Sequence, residues 1–280
     1  MSDALKFRVE LNVLKHLGIG LYSSTPAVMT EIIANSWDAD AARVDITIDP
    51  ESDLIQVQDD GHGMSRQDVQ DKFLKIGYSR RTREATKAMS RSGLRHVMGR
   101  KGIGKLAMFS LANRINVVTR AAGGDTVAFA IDVQALWKQA EQDAETVEYP
   151  VEPVAVPADF DLEHGTRITL TELNTRIHRT EDFLRPRLAR RFGVFSDTFA
   201  VRMNGRPLQR SDAGFYRDIQ FLWYFDEAAR AEVAKAASAL ATFKDDDGTE
   251  RPCIESIPTM IAGDPPELTV KGFIDRKSVV

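Results

Sequence analysis

A single cysteine, Cys253, stands in 280 residues. One thiol closes no internal disulfide and builds no zinc site, so a reducing cytoplasmic compartment is expected. No apolar run approaches the ~20 residues that cross a bilayer as a helix. The N-terminus MSDALKFRVE lacks the apolar stretch of a secretory leader. No membrane partner is expected. Internal repeats and low-complexity tails are missing. So is an excess of one charge: 37 Lys and Arg face 41 Asp and Glu, a net −4. That balance argues against a chain coated with nucleic acid. What is present is 43% hydrophobic and 28% charged residues, the profile of a globular protein with one large domain or a domain and a half.

Residues 5–17 (LKFRVELNVLKHL) are expected to form a short amphipathic helix, and 18–24 a loop. Thr25 before Pro26 predicts a capped helix start, with the helix running to about Ala41. RVDITID (43–49) and LIQVQD (54–59) alternate apolar and polar residues, as half-buried strands do. Ser65 predicts the cap of a helix near 66–76, with Asp68 in its first turn. IGKLAMFSLA (103–112) reads as a helix that starts on glycines. RINVVTRA, TVAFAID and TRITLTEL read as strands, and 135–140 and 181–192 as helices. AVRM-NG-RPLQ (200–209) reads as a hairpin on an Asn-Gly turn. Residues 213–243 are expected to be helical. LTVKGFID, near the end, reads as a strand with no partner in view, expected to continue into further chain. This order suits an α+β sandwich with helices on one face of a mixed sheet. The expected division is 1–210 and 211–280.

Residues 77–102 show no clear period, and a structureless stretch that long inside a domain is usually functional, often a lid. Charge concentrates here. From Lys72 to Lys105 there are eleven Lys or Arg residues and one acid, Glu84. Such a run suits a solvated face, a cover for a triphosphate, or a contact with nucleic acid.

Three constellations carry chemistry. On the helix TEIIANSWDADA, Glu31, Asn35 and Asp38 fall within about 60° of one another at 100° per residue, opposite Ile32, Ile33 and Trp37. A solvated stripe looks like this. So does a site in which a carboxylate orients a water one turn before an amide that binds magnesium, an ion that takes few protein ligands and fills the rest with water and phosphate oxygens. Second, IQVQDDGHGM sets Asp59, Gly61 and Gly63 directly after a strand. A turn uses the same residues, yet a strand-end carboxylate can also accept a hydrogen bond from an exocyclic amine such as adenine N6. His62 reads as a bystander. Third, GRKGIGKLA nearly spells the P-loop G-x-x-x-x-G-K-[ST] from Gly99 to Lys105. Leu106 stands where a hydroxyl should hold magnesium, and SRSGLRHVM before it is no buried strand. The P-loop reading fails. Gly99, Gly102 and Gly104 with Lys101 and Lys105 still suit an anion at a helix start.

Together these motifs resemble the GHKL superfamily: DNA gyrase B, heat-shock chaperone, histidine kinase and MutL ATPases. The match is Glu31-x-x-x-Asn35-x-x-Asp38-Ala39, then Asp59-x-Gly61-x-Gly63-Met64, then Gly99-x-x-Gly102-x-Gly104-Lys105, then Gly165-Thr166 before a strand. The resemblance spans about residues 10–171 and implies the Bergerat fold: a two-layer sandwich with ATP between helices and a mobile lid. It implies Glu31 as catalytic base, Asn35 as magnesium ligand, Asp59 as adenine anchor helped by Thr166 through water, and Gly61 and Gly63 as shapers of the base pocket. Asp38 is similar to an acidic residue that supports the pocket, and Met64 to one that packs on the base. Gly99, Lys101, Gly102, Ile103, Gly104 and Lys105 correspond to the phosphate loop. KIGYSRR is similar to the lid-opening segment, where Ser79 and Arg80 reach toward nucleotide.

Histidine kinases usually carry Asn where Glu31 stands, and a basic residue at Asp38. The sequence therefore resembles the ATPase side, nearest the chaperone-like and MORC-like members. The expected function is magnesium-dependent ATP hydrolysis that drives lid closure and homodimerisation in a larger machine. A non-hydrolysing nucleotide sensor and a histidine-kinase-type phosphotransferase are the alternatives. The basic lid and the helix FLRPRLARRF leave nucleic acid open as a partner. In the related families a transducer-domain lysine contacts the γ-phosphate; this chain is expected to stop as that domain begins.

Overall fold

The computed structural model describes residues 6–10, 24–75, 89–99, 106–142, 146–174, 180–192, 198–214, 221–224, 231, 242–244, 247–252, 254–256 and 273–276. The chain divides into two compact units, residues 1–208 and 209–280.

In the first unit an eight-stranded mixed sheet carries helices α1 (Thr25–Asp38), α3 (Ala107–Leu111), α4 (Val133–Gln142) and α5 (Thr180–Arg191). Its strands are β2 (Arg43–Asp49), β3 (Leu54–Asp59), β4 (Ala112–Arg120), β5 (Thr126–Asp132), β7 (Glu152–Pro153), β8 (Gly165–Leu173), β9 (Ala200–Met203) and β10 (Arg206–Pro207). They lie in the order β10-β9-β2-β3-β8-β4-β5-β7. Only β2 and β9 are parallel among the pairs of this sheet. Period-two alternation builds the two faces. Val44, Ile46, Ile55, Val57, Ile115, Val117, Phe129, Ile168 and Leu170 form one hydrophobic core with Val28, Met29, Ile32 and Ile33 of α1, Met108 and Leu111 of α3, and Leu184 and Leu188 of α5. Each such side chain contributes about 1.5–3 kcal/mol when buried. Between the buried positions, Asp45, Thr47, Gln56, Gln58, Asn116 and Thr169 are half-buried or exposed.

The expected strands over 43–49, 54–59, 112–120, 126–132 and 165–173 are all strands. Helix α1 starts one residue earlier than predicted, with Ser24 as its cap residue, and ends at Asp38 rather than Ala41. Asp40 takes a left-handed φ of 59° and stops it. After β3, Ser65 and Asp68 form a reciprocal capping box for α2 (Arg66–Asp68), which continues as a π turn over Val69–Phe73. The hairpin β9–β10 turns on Asn204 and Gly205, both at positive φ.

Three expectations are corrected. Residues 6–10, expected inside a helix, form strand β1 (Lys6–Glu10), antiparallel to β6 (Thr146–Pro150). KFRVE alternates charged and apolar residues, and the period of two prevails. Residues 11–23 lie outside the described residues. Within 213–243, expected to be helical, Phe221–Tyr224 is strand β11; FLWY is aromatic and apolar throughout, a composition suited to a sheet. The strand near the end, β15 (Phe273–Arg276), has a partner after all: it pairs antiparallel with β11, whose other edge pairs in parallel with β14 (Ile254–Ser256). These strands, with the hairpin β12 (Thr242–Lys244) and β13 (Glu250–Pro252), belong to the second unit.

Of the expected lid, residues 77–88 and 100–102 lie outside the described residues. Residues 89–99 are a small hairpin-like turn. Met89 and His96 form a β-bridge, Ser90 N donates to Arg95 O at 2.7 Å, and Gly93 N donates to Ser90 O at 3.0 Å.

Candidate functional site

The helix-facing side of the sheet is aliphatic until its last rung. Ile55, Leu170 and Ile115 align across β3, β8 and β4, then Val57, Ile168 and Val117, then Asp59, Thr166 and Thr119. The alternation that points Val57 inward must point Asp59 inward two residues later. A carboxylate and two hydroxyls thus line up at the edge of the core, and all three are buried.

Asp59 Oδ2 accepts from Ser36 Oγ of α1 at 2.9 Å, and Oδ1 accepts from Gly61 N at 2.9 Å. Burial pushes the Asp59 carboxyl up to about 6; the Gly61 N–H, the Ser36 hydroxyl and the Thr166 backbone N–H oppose that rise, and neighbouring Asp60 adds to it. Its ionised form is an acceptor only. A carboxylate has about four lone-pair sites, so the Ser36 and Gly61 donors leave acceptor capacity for a ligand amine.

Thr119 Oγ1 accepts from Met64 N at 3.0 Å and donates to Gly165 O at 3.0 Å. With its proton committed there, the Thr166 hydroxyl, 2.9 Å away, donates to Thr119 and keeps its own lone pairs as acceptors. Two glycines allow the chains to meet. Gly63 has φ +60, and a Cβ there would lie 1.8 Å from the Arg120 carbonyl oxygen. Gly165 has φ +136, and a Cβ would lie 2.1 Å from the Asp59 carbonyl oxygen. Behind the turn, His164 Nδ1 donates to Gly61 O at 2.7 Å. The bystander His62 donates its backbone N–H to Ala39 O at 2.9 Å, tying the turn to the end of α1.

On α1, Glu31 is half-buried, Asn35 is exposed and Asp38 is buried. Burial raises the Glu31 carboxyl above its ordinary value; Arg191 of α5 opposes this and Asp38 adds to it. The Asp38 oxygens accept the backbone N–H groups of Met98 at 2.7 Å and Gly99 at 3.0 Å. Met64 is half-buried against the core. Leu106, at the position where a P-loop has its hydroxyl, is 8% exposed and belongs to the hydrophobic core. Ser79, Arg80, Lys101, Gly102, Ile103, Gly104 and Lys105 lie outside the described residues.

Helix α1 and the Asp59 corner are therefore one construction, joined through Ser36 and Ala39. The family model described as histidine kinase-, DNA gyrase B-, and HSP90-like ATPase matches residues 22–166, which contain both.

The chain belongs to this GHKL ATPase family.

Its α+β fold is the Bergerat fold. Among curated proteins, one assigned as the type II restriction enzyme HgiDII of Herpetosiphon aurantiacus is 38% identical over 80% of this chain and 36% of its own length. The chaperone protein HtpG of Halorhodospira halophila is 28% identical over 85% of this chain and 37% of its own length. HtpG of Shewanella halifaxensis is 32% identical over 51% of this chain. The chain thus spans little more than a third of the length of the first two relatives. GHKL ATPases are nucleotide-binding proteins, and the polar rung suits that ligand: an ionised acceptor beside a hydroxyl at the edge of an apolar layer. Asn35 suits magnesium. Its side chain is exposed and has no hydrogen-bond partner among the described residues.

Sequence reasoning missed Ser36, Thr119 and His164. Thr119 follows Ile115 and Val117 at the inward period, and that signal was available once TRITLTEL was aligned beside it. Ser36 and His164 carry no signal without the tertiary fold. No helix among the described residues is long and apolar enough to cross a membrane.

Proposed function

We propose that this chain is the ATP-binding and hydrolysing module of a longer cytoplasmic protein that ATP switches between open and closed, dimeric states. The observation that carries this is the buried Asp59 carboxylate, held by Ser36 of the same helix that presents Glu31 and Asn35. Asp59 and Thr166 recognise the adenine, Gly61 and Gly63 admit it, and Met64 packs beside it. Asn35 would hold magnesium, which when bound would neutralise phosphate charge. Gly99, Lys101, Gly102, Ile103, Gly104 and Lys105 receive the phosphates, and Ser79 and Arg80 close over them. Glu31 orients a water for in-line attack on the γ-phosphate and takes its proton. A half-buried carboxyl with a raised pKa is a better base near neutral pH than an exposed one. ADP and phosphate leave, and the lid and dimer open. The contacts that γ-phosphate makes with the closed form alone drive that cycle. Residues 211–280 transmit it.

Glu31→Ala tests the assignment. ATP should still bind, and hydrolysis should fall by about 100-fold or more. Unchanged hydrolysis would overturn the role of Glu31 and return the module to a nucleotide sensor. Asn35→Ala should abolish the magnesium dependence.

Two observations favour a nucleic-acid-directed machine over a chaperone. The relative assigned as a restriction enzyme is more similar over a comparable share of the chain than HtpG of Halorhodospira halophila. The stretch 72–105 is strongly basic. Helix α5 contributes less than its sequence suggests, because Arg185 is buried and bound to the carbonyls of Met203 and Pro207 and to Glu181; Arg187, Arg190 and Arg191 remain on its exposed side.

A further inference from the structure

The turn over 89–99 sits at the end of α1 on contacts that the motifs do not explain. Arg95 forks across two backbone carbonyls: Nη1 donates to Ala41 O and Nη2 to Thr198 O, each at 2.6 Å. Its guanidinium lies 4.6 Å from the Trp37 ring centroid and 5.5 Å from that of Phe199. Those two rings pack edge-to-face at 5.1 Å, and Phe199 is buried. Trp37 Nε1 donates to His96 O at 2.9 Å. Asp40 accepts from Ser92 N at 2.8 Å and from Ser92 Oγ at 2.7 Å. Asp38 then takes Met98 N and Gly99 N.

Five successive points along eleven residues are thus tied to the last turn of α1, the loop after it, and residues 198–199. Arg95 is the keystone because its two arms join the loop after α1 to Thr198, and no lysine offers the same planar fork. Gly99, at the end of the latched segment, is where the glycine-rich sequence starts. We infer that Arg95 is a positioning residue for the nucleotide site: by locking 89–99 onto α1, it sets the place of Met98 and Gly99 on the helix that carries Asn35. It touches no reacting atom. This rests on the ATP reading above.

Two measurements on the full chain test the inference separately from that reading. Hydrogen exchange without nucleotide reads the latch itself. In Arg95→Ala the amides of Met98 and Gly99 should exchange at least about ten-fold faster than in the wild type, with Val57 and Ile168 unchanged; equal exchange at 98–99 overturns the inference. Calorimetric titration with magnesium-ATP and with adenosine reads the consequence. Arg95→Ala should weaken ATP by about ten-fold or more, since small misplacements of positioning groups have effects of that order, and should move adenosine by less than about two-fold, because adenosine relies on the Asp59 corner. Equal loss of both ligands, or no loss of ATP, overturns the inference. If the wild type binds neither ligand, the ATP reading falls while the exchange result still decides the latch. Should Arg95→Ala fail to fold, Arg95→Lys, which retains the charge and one hydrogen bond, and Ser92→Ala, which loosens the latch at its far end, must show the same selective loss in smaller measure; an unselective loss in both counts against it.

Discussion

Asp59 shows at the level of one residue how recognition and stability oppose each other. Its folded-state pKa of about 6 exceeds the ordinary 3.8. The native protein holds this proton more tightly than the unfolded chain does. The resulting stability is fully present below pH ~4 and is lost as pH rises through about 6, a loss of about 3 kcal/mol. Ligand recognition runs the other way, because only the ionised carboxylate accepts an amine without a competing proton. Denaturant titrations of wild type and Asp59→Asn from pH 4 to pH 7 should show the wild type losing stability relative to the variant up to about pH 6 and levelling beyond. ATP affinity of the wild type should rise over the same interval. Leu106 makes the complementary case. Leu106→Ser should supply no magnesium ligand and no gain in ATP affinity; it should cost about 2–4 kcal/mol, the usual result of removing a core leucine, read as a lower midpoint in urea.

At the level of elements, local signals succeeded where the partner of a segment was implied by its own period. The strands 43–49 and 54–59 fall where their alternation puts them, since each needs only an apolar layer on one side. Ser65 and Asp68 formed the reciprocal cap their spacing encodes, and Ser65→Ala should lower stability by about 1 kcal/mol, measurable as a shift in the urea midpoint with an unchanged slope. Segments that depend on a distant partner were misread. The helix expected over LKFRVELNVLKHL competes with the strand alternation of KFRVE, and KFRVE pairs with 146–150 as a strand. FLWY lay inside a stretch expected to be helical and is central to a three-stranded sheet. The basic turn over 89–99 has no period because its order comes from carbonyls and rings elsewhere.

For the whole molecule, charge is the property that separates the readings. If the basic stretch 72–105 and the exposed arginines of α5 meet nucleic acid, affinity for DNA must fall steeply with salt, because each neutralised phosphate releases counterions. A filter-binding series across salt that stays flat would remove nucleic acid as a partner. Dimerisation is read by sedimentation: Glu31→Ala with magnesium-ATP should accumulate a dimer that the wild type forms only transiently, and a monomer under both conditions would exclude ATP-driven association of this unit. The chain spans little more than a third of the length of its relatives HgiDII and HtpG of Halorhodospira halophila.

The sequence by itself determined the family. Glu31, Asn35 and Asp38 share a helix face through the 3.6-residue period, and Asp59 closes a strand whose alternation turns it toward the core; both follow from local geometry. Tertiary structure alone decided what surrounds them. Ser36 reaches Asp59 across 23 positions, His164 reaches Gly61 across 103, and Arg95 reaches Thr198 across 103. Hydrogen bonds between residues so far apart leave no periodic trace in a sequence, because they depend on which chains the packed core brings to the same edge.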